Sequence, residues 1–396
     1  MDQIYAYVGK WEHDLGTESL GFQIFSYDAQ TGVLFPVGSS DVTDIMVGSV
    51  WLDGARGILY CTDESENLPG VTGGGGRVLA FALNRETGGM TLLSSSPSYG
   101  VRASGLITDK ERRYLIATNH AGRKPITKTV RDCFGKIQLL TEYDEANTVL
   151  FRLQEDGSIG EAVDVLRHTI TAHPSQNNPH PHQVAMSPDG SLFAVCDKGG
   201  DAIYLFGLDR EHDRLILKGD APYRDLPGSS PRYGVFHPNK PYYFANYETK
   251  PIIHAFRYSE TGVLTLVDTQ DILPEGFMMP EGIPARRVAE SSDLRIHPNG
   301  KWLYNVVRGL DIVTVYAINE KTGALTKLQT RKLVQEGEKA GSRGCAMSPD
   351  GRFLHVTLLG CGRIIAMPIG DDGTLGEAVT AYEGLHAPAN ITFWTV

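Results

Sequence analysis

One pattern occurs seven times in the sequence, and this repeat limits what the chain can fold into more than any other feature. Each copy is a short apolar or alternating strand, followed by acidic or polar residues and usually by glycine. The copies are FQIFSYDAQTG (22–32), VLAFALNRETG (78–88), TVLFRLQEDG (148–157), IYLFGLDREHD (203–213), IHAFRYSETG (253–262), VTVYAINEKTG (313–323) and IIAMPIGDDG (364–373). Their starts are 50 to 70 residues apart. This regular period favours one array of similar units over a series of independent β-sandwiches.

A second element precedes most copies and consists of two apolar strands joined by a turn. The clear examples are VAMSPDGSLFAVCD, YGVFHPNKPYYFANY, LRIHPNGKWLYNVV and CAMSPDGRFLHVTL, and the degenerate ones are VWLDGARGILYCTD and LITDKERRYLIATN. Proline sets φ for the turn and Asp-Gly or Asn-Gly tolerates positive φ, so each segment predicts a β-hairpin. A unit of about 50 residues with four strands is typical of a propeller blade.

The two ends of the sequence complete the count of blades. IYAYVGKW precedes the first copy without a hairpin of its own, and ANITFWTV is a strand with no blade after it. We therefore predict an all-β fold, a single seven-bladed β-propeller over residues 1–396, closed by pairing of the N- and C-terminal strands in one blade.

The longest spacing contains residues 121–147, which we predict to be a loop insertion within blade three. It carries five cations, Arg123, Lys124, Lys128, Arg131 and Lys136. Two interpretations remain open: a solvated loop, or a lid or rim that adds cations to a central site.

Composition and charge narrow the possible partners. The sequence has no apolar stretch long enough for a membrane helix and no signal-peptide pattern at its start, which predicts a cytoplasmic protein without a membrane partner. The formal charge of −10 disfavours nucleic acid. Five scattered cysteines without CxxC spacing indicate neither a disulfide framework nor a zinc knuckle. We expect a small-molecule ligand and a monomer or weak homo-oligomer.

Propeller geometry brings equivalent positions of successive blades together at the central channel. The candidates before inner strands are His180, His182, Arg232, Ser292, Asp293 and Arg343, and those after second strands are Asp197, Lys198, Tyr247, Glu248 and Arg308. This set is rich in arginine, which binds carboxylates and phosphates with paired hydrogen bonds. An excess of cationic side chains at the channel would repel a metal ion. We therefore expect neither a metal nor another cofactor.

Four segments carry a resemblance to a known family: NPHPHQVAMSPDG, SSPRYGVFHPN, ANYETKPIIHAF and SSDLRIHPNGKWLYNVVRG. Together with the repeat, they resemble the lactonase family of seven-bladed propellers that includes bacterial propeller-type 6-phosphogluconolactonase and carboxy-cis,cis-muconate cyclase. The resemblance implies catalytic roles for His182, Arg232, Glu248 and Arg308. The residues beside them depart from the family's motifs, with Tyr233 after the first arginine and Lys198 after Asp197.

The resemblance implies a hydrolase that opens the ring of a sugar lactone similar to 6-phosphogluconolactone. Glu248 or His182 would be the general base, and Arg232 and Arg308 would stabilise the oxyanion or bind an anionic group. We expect His180, Asp197, Lys198, Tyr247 and Arg343 to contact the substrate. The alternatives are a cycloisomerase of muconolactone-type substrates and a non-catalytic propeller that binds sugar acids. In a purely structural interpretation, Arg232 and Glu248 have no catalytic role and form a salt bridge between neighbouring blades.

Overall fold

The computed structural model describes residues 3–12, 20–122, 124–171, 176–335, 337–338 and 340–396. These residues form seven antiparallel sheets arranged as blades and numbered here in chain order, each with four successive strands, to which blade four adds a short fifth strand. In each blade the strands are given from the inner to the outer one. Blade one contains Pro388–Thr395, Ile4–Lys10, Phe22–Tyr27 and Leu34–Ser39; blade two contains Val47–Asp53, Ile58–Asp63, Arg77–Leu83 and Met90–Pro97; blade three contains Ala103–Thr108, Tyr114–Asn119, Asn147–Leu153 and Ile159–Arg167; and blade four contains Pro181–Met186, Phe193–Asp197, Ala202–Asp209 and Arg214–Leu217. Blade five contains Pro231–Phe236, Tyr242–Tyr247, Ile252–Tyr258 and Leu264–Asp271; blade six contains Glu290–Ile296, Trp302–Arg308, Ile312–Ile318 and Leu325–Lys332; and blade seven contains Ser342–Met347, Phe353–Leu358, Arg363–Pro368 and Val379–Glu383. The predicted seven-bladed propeller is confirmed.

Blade one closes the ring by joining distant parts of the sequence. Strand Ile4–Lys10 pairs antiparallel with strand Pro388–Thr395, in a register that runs from Ile4 opposite Thr395 to Gly9 opposite Asn390. The closure predicted from the sequence is therefore confirmed. The pairing completes a four-stranded sheet in which Ile4–Lys10 has a partner on both sides and Pro388–Thr395 is the inner strand.

Three shorter elements lie outside the four successive strands of each blade. Strand Tyr223–Arg224 pairs with the third strand of blade four, and a 3₁₀ turn covers Ala285–Arg287 between blades five and six. Within the predicted insertion, Ile126–Arg131 and Ile137–Glu142 pair with each other in a two-stranded hairpin. The segment therefore has regular structure, whereas we expected a loop. Arg123, one of its five predicted cations, lies outside the described residues.

The core is divided into slabs, one between each pair of neighbouring blades. Seven clusters of buried apolar side chains each combine residues of two consecutive blades, and one of them joins blade seven to blade one. Tyrosines of the second strands also bond across these interfaces: Tyr60 donates to the carbonyl of Gly157 at 2.8 Å, and Tyr304 to that of Gly373 at 2.9 Å. Each blade thus depends on its neighbours for burial, which favours a closed ring.

A β-bulge interrupts the inner strand of every blade near the start of that strand. At the bulge the inner strand contains one residue more than the second strand with which it pairs. One residue of the inner strand therefore has no partner opposite it. The positions are Ala389, Gly48–Ser49, Ser104, His182, Arg232, Ser292 and Arg343–Gly344, in blades one to seven. Since a bulge changes the direction of a side chain, it can aim one residue per blade away from the regular pleat.

None of the described residues forms a helix long and apolar enough to cross a membrane.

Candidate active site

A cavity of about 800 Å³ lies at one end of the central channel. Its size is within the range of small-molecule sites in proteins. Seven of the residues that we selected from the sequence line it: His180, His182, Lys198, Arg232, Glu248, Arg308 and Arg343. Three of them, His182, Arg232 and Arg343, are bulge residues, and this places them within the inner strands, whereas we expected them before those strands.

Glu248 is the centre of an ionic cluster in blade five. Its Oε2 accepts hydrogen bonds from Lys198 Nζ at 2.7 Å and from Arg232 Nε at 3.0 Å. Burial alone would raise the pKa of Glu248, but the charges of Lys198, Arg232 and Arg308 outweigh it and hold this pKa well below its usual range. Glu248 is therefore a carboxylate near neutral pH. Arg232 and Glu248 belong to the same blade, so their salt bridge does not join neighbouring blades.

The two other arginines selected from the sequence also have carboxylate partners. Arg308 forms an ion pair with Glu290, which lies opposite it at the start of the inner strand of blade six. Arg343 is 3.5 Å from Glu64 and stacks over the ring of Trp11, with 3.7 Å between its guanidinium carbon and the ring centroid. These contacts hold both guanidinium groups in fixed positions, since a planar guanidinium paired on one edge loses much of its freedom.

Three histidines lie beside the ionic cluster. The rings of His120 and His180 are stacked with centroids 4.3 Å apart, and His182 meets His120 edge-on at 5.9 Å. Burial, reinforced by the charges of Arg232 and Lys198, lowers the pKa of His182 well below 6.5. His182 is thus a neutral imidazole at pH 7, and its buried Nδ1 has no hydrogen-bond partner among the described residues.

Two of the expected substrate contacts do not lie in the cavity lining. Asp197 is fully buried behind it, where Oδ1 accepts the amide hydrogens of His180 at 2.7 Å and Gly200 at 2.9 Å, and Oδ2 contacts His168 Nδ1 at 3.0 Å. Tyr247 packs between blades four and five, with its hydroxyl 2.9 Å from His254 Nδ1. Both side chains support the cavity from behind, and neither is placed to touch a ligand inside it.

The cavity also contains residues that were not selected from the sequence, among them Trp11, Glu64, His120, Asp201, Arg286, Arg287 and Glu290. Glu64 and His120 come directly after second strands, as Lys198 and Glu248 do. The same positional rule, applied to the degenerate hairpins of blades two and three, would have found both. Conversely, Asp293 was selected from the sequence but lines a different cavity at the other end of the channel.

No three His, Cys, Asp or Glu side chains come together to form a metal site in the part of the chain that the structure describes.

The fold and the cavity define a class: a seven-bladed propeller with a polar, arginine-rich site at one mouth of its channel. The chain belongs to the family described as "Lactonase, 7-bladed beta-propeller", whose model matches residues 5–387. This confirms the family resemblance found in the sequence.

Curated relatives and solved structures agree with this family. The chain is 23% identical over 270 residues to the 6-phosphogluconolactonase of Bacillus subtilis, covering 68% of this chain but 65% of the relative, which is less than two thirds of its length. It is 24% identical to the 6-phosphogluconolactonase of Formosa agariphila, with 71% and 70% covered. The periplasmic gluconolactonase of Pseudomonas aeruginosa superposes with a TM-score of 0.82 at 21% identity, over 100% of this chain and 99% of the other. At 21% identity, the similarity to this solved structure supports the fold of the chain and nothing further. The cytoplasmic location stays a prediction.

Proposed function

We propose that the protein hydrolyses the lactone ring of an anionic sugar lactone similar to 6-phosphogluconolactone. The charge of the cavity is the observation that carries this proposal. Six cationic side chains, Lys198, Arg232, Arg286, Arg287, Arg308 and Arg343, line it together with four carboxylates, Glu64, Asp201, Glu248 and Glu290. A chain with a formal charge of −10 therefore concentrates positive charge at one small site. Such a site attracts a small anion.

His182 is better suited than Glu248 to be the general base. Glu248 Oε2 is already bound by Lys198 and Arg232, whereas Nδ1 of His182 has no hydrogen-bond partner among the described residues. His182 is neutral and lines the same cavity, so its imidazole can accept a proton from a water molecule that attacks the lactone carbonyl carbon. Glu248 then serves to hold Lys198 and Arg232 in place.

The low pKa of His182 also favours the second half of the reaction. Burial and the charges of Arg232 and Lys198 lower the pKa of His182, so the protonated imidazole is a stronger acid than a free imidazolium and gives up its proton more readily. When the carbon–oxygen bond of the ring breaks, the leaving alkoxide takes that proton, and the product is the ring-opened hydroxy acid. The water has then supplied one hydroxyl group to the carbonyl carbon and one proton to the former ring oxygen.

Arg232 and Arg308 are the groups proposed to stabilise the oxyanion. Arg232 donates Nε to Glu248 and Nη1 to the carbonyl of Ser292, a bulge residue of the next blade, so two sides of its guanidinium are fixed. Arg308 is fixed through Glu290. Donors held in position before the reaction stabilise developing negative charge without reorganising, and each is worth about 10²–10³-fold in rate.

The test is turnover of 6-phosphogluconolactone, gluconolactone and muconolactone by the wild type and by His182→Ala and His182→Gln variants. We expect hydrolysis of a sugar lactone that falls by about 10²–10⁴-fold in both variants. The matched control is His212→Ala, which removes an exposed histidine from a turn of the same blade. Wild-type rates in both His182 variants would contradict the assignment of the base. Binding of the ring-opened acids without turnover would instead indicate a non-catalytic propeller.

A further inference from the structure

Two of the six cations in the cavity differ from the other four. Lys198 and Arg232 share Glu248, Arg308 pairs with Glu290, and Arg343 pairs with Glu64. Within the described ranges, Arg286 and Arg287 form no ion pair, and both side chains are exposed at the cavity. Arg286 and Arg287 are therefore the two cations of the lining that have no carboxylate partner among the described residues.

Their position relative to the ionic cluster is fixed by the backbone. The 3₁₀ turn that carries them is closed by hydrogen bonds from Arg287 N to Pro284 O at 2.9 Å and from Val288 N to Ala285 O at 2.9 Å. Gly309, directly after Arg308, has φ +83°, and a Cβ there would come within 2.4 Å of the carbonyl oxygen of Val288. The glycine thus lets the two backbones pack closely. The turn rests against the segment that carries Arg308.

From this geometry we propose that Arg286 and Arg287 form the subsite for the phosphate group of a phosphorylated sugar lactone, a proposal that rests on the proposed function. A phosphate monoester carries a charge of about −1.5 to −2 near neutral pH, which two guanidinium groups neutralise. Arginine also binds phosphate with paired, parallel hydrogen bonds. The other four cations are held by three carboxylates, Glu64, Glu248 and Glu290, around the proposed reacting end. Arg286 and Arg287, which have no such partner among the described residues, are left to bind a distal dianion.

The subsite predicts a change in specificity without a general loss of activity. In a double Arg286→Gln, Arg287→Gln variant, kcat/KM for 6-phosphogluconolactone should fall by about 10–100-fold, mainly through KM, as expected for lost hydrogen bonds to a charged group. For unphosphorylated gluconolactone, kcat/KM should stay within about twofold. Arg286→Lys with Arg287→Lys should recover part of the loss, because lysine keeps the charge without the bidentate geometry.

Arg257→Gln is the matched control, since it removes an exposed arginine from the third strand of blade five, outside the cavity lining. A double glutamine variant with an unchanged preference for the phosphorylated lactone would overturn the subsite. So would an equal loss on both lactones, because that would indicate a general disturbance of the site.

A binding measurement separates failure of the subsite from failure of the proposed function. By calorimetry, the wild type should bind 6-phosphogluconate about 10–100-fold more tightly than gluconate, and the double glutamine variant should bind the two alike. If the wild type hydrolyses neither lactone, the proposed function is wrong, and the binding preference alone decides the subsite. Equal affinities in the wild type would reject it.

Discussion

The two ends of the central channel are built from the same seven inner strands and differ in what those strands present. At one end lies the arginine-rich cavity of about 800 Å³, and at the other a cavity of about 320 Å³ lined largely by apolar residues such as Trp51, Leu106 and Phe236. Tyr233 lies between them: it lines the smaller cavity and contacts His182 and Arg232 of the larger one.

The polar residues of the smaller cavity are used by the fold itself. Gln183 accepts the amide hydrogen of Gly234 at 3.1 Å, and Asp293 accepts those of Cys345 and Leu294, both at 2.8 Å. At the larger cavity, by contrast, bulges and second-strand ends bring together charges that bond to one another and leave Arg286 and Arg287 free of ion pairs among the described residues. The repeat determines the ring, and the side chains that differ between blades at equivalent positions determine the charge of the larger cavity.

The strongest test of this contrast compares one carboxylate at each end. Glu248→Gln leaves Lys198 and Arg232 without a counter-ion, so kcat/KM for the lactone should fall by at least about 100-fold. The free energy of unfolding should drop by about 3–5 kcal/mol, as for other broken buried ion pairs. Asp293→Asn should also destabilise the protein, because Asp293 pairs with Arg295. Its kcat/KM should nevertheless stay within a few-fold, and a comparable loss of activity would remove the distinction between the two ends.

Acid pH should affect the end that contains the histidines. Burial is the largest cause that lowers the pKa of His120, His180 and His182 below 6.5. The unfolded chain therefore binds protons that the folded chain does not, and stability should be complete above pH 6.5 and fall as the pH drops below it. The slope is up to about 1.4 kcal/mol per pH unit for each histidine. Because the proposed mechanism requires neutral His182, the acid limb of kcat/KM should also lie below pH 6.5.

Thermal unfolding between pH 7.5 and 5 (roughly the range in which histidine titrates) measures this effect. His182→Gln should reduce the slope of Tm against pH. An unchanged slope in His182→Gln would show that this imidazole is not the titrating group.

We expect the smallest effect from replacing the hairpin of blade three, which lies apart from the inner strands that form the two cavities. Its strands pair with each other, and Phe134 and Leu139 are 92% and 78% exposed. Ile126 lies opposite Glu142, so a short Gly-Ser linker can replace residues 126–142. The free energy of unfolding should change by less than about 1 kcal/mol. A larger loss in chemical denaturation would mean that the hairpin supports the ring.

Sequence periodicity was sufficient for the fold and for part of the site. At the ends of second strands, however, two adjacent polar residues point to opposite sides, because side chains alternate along a strand. Lys198 and Glu248 face the cavity, whereas their neighbours Asp197 and Tyr247 face the interior. Nothing in the sequence tells which member of each pair faces the ligand.

Other residues of the site escaped for different physical reasons. Glu290 pairs with Arg308 at the start of an inner strand, two residues before the bulge residue, and bulges cannot be located from strand alternation. Arg286 and Arg287 lie in a connection between blades, where the repeat provides no register.

The pairing that closes blade one also positions part of the cavity wall. Trp11 follows the closing strand Ile4–Lys10, its amide donates to Ala387 O at 3.0 Å, and its ring covers Arg343. The last seam of the ring and one wall of the cavity are therefore the same piece of structure. If the two closing strands separate, the cavity loses this part of its wall. Turnover of the lactone should therefore report whether the ring of blades is closed as directly as a spectroscopic probe of folding does.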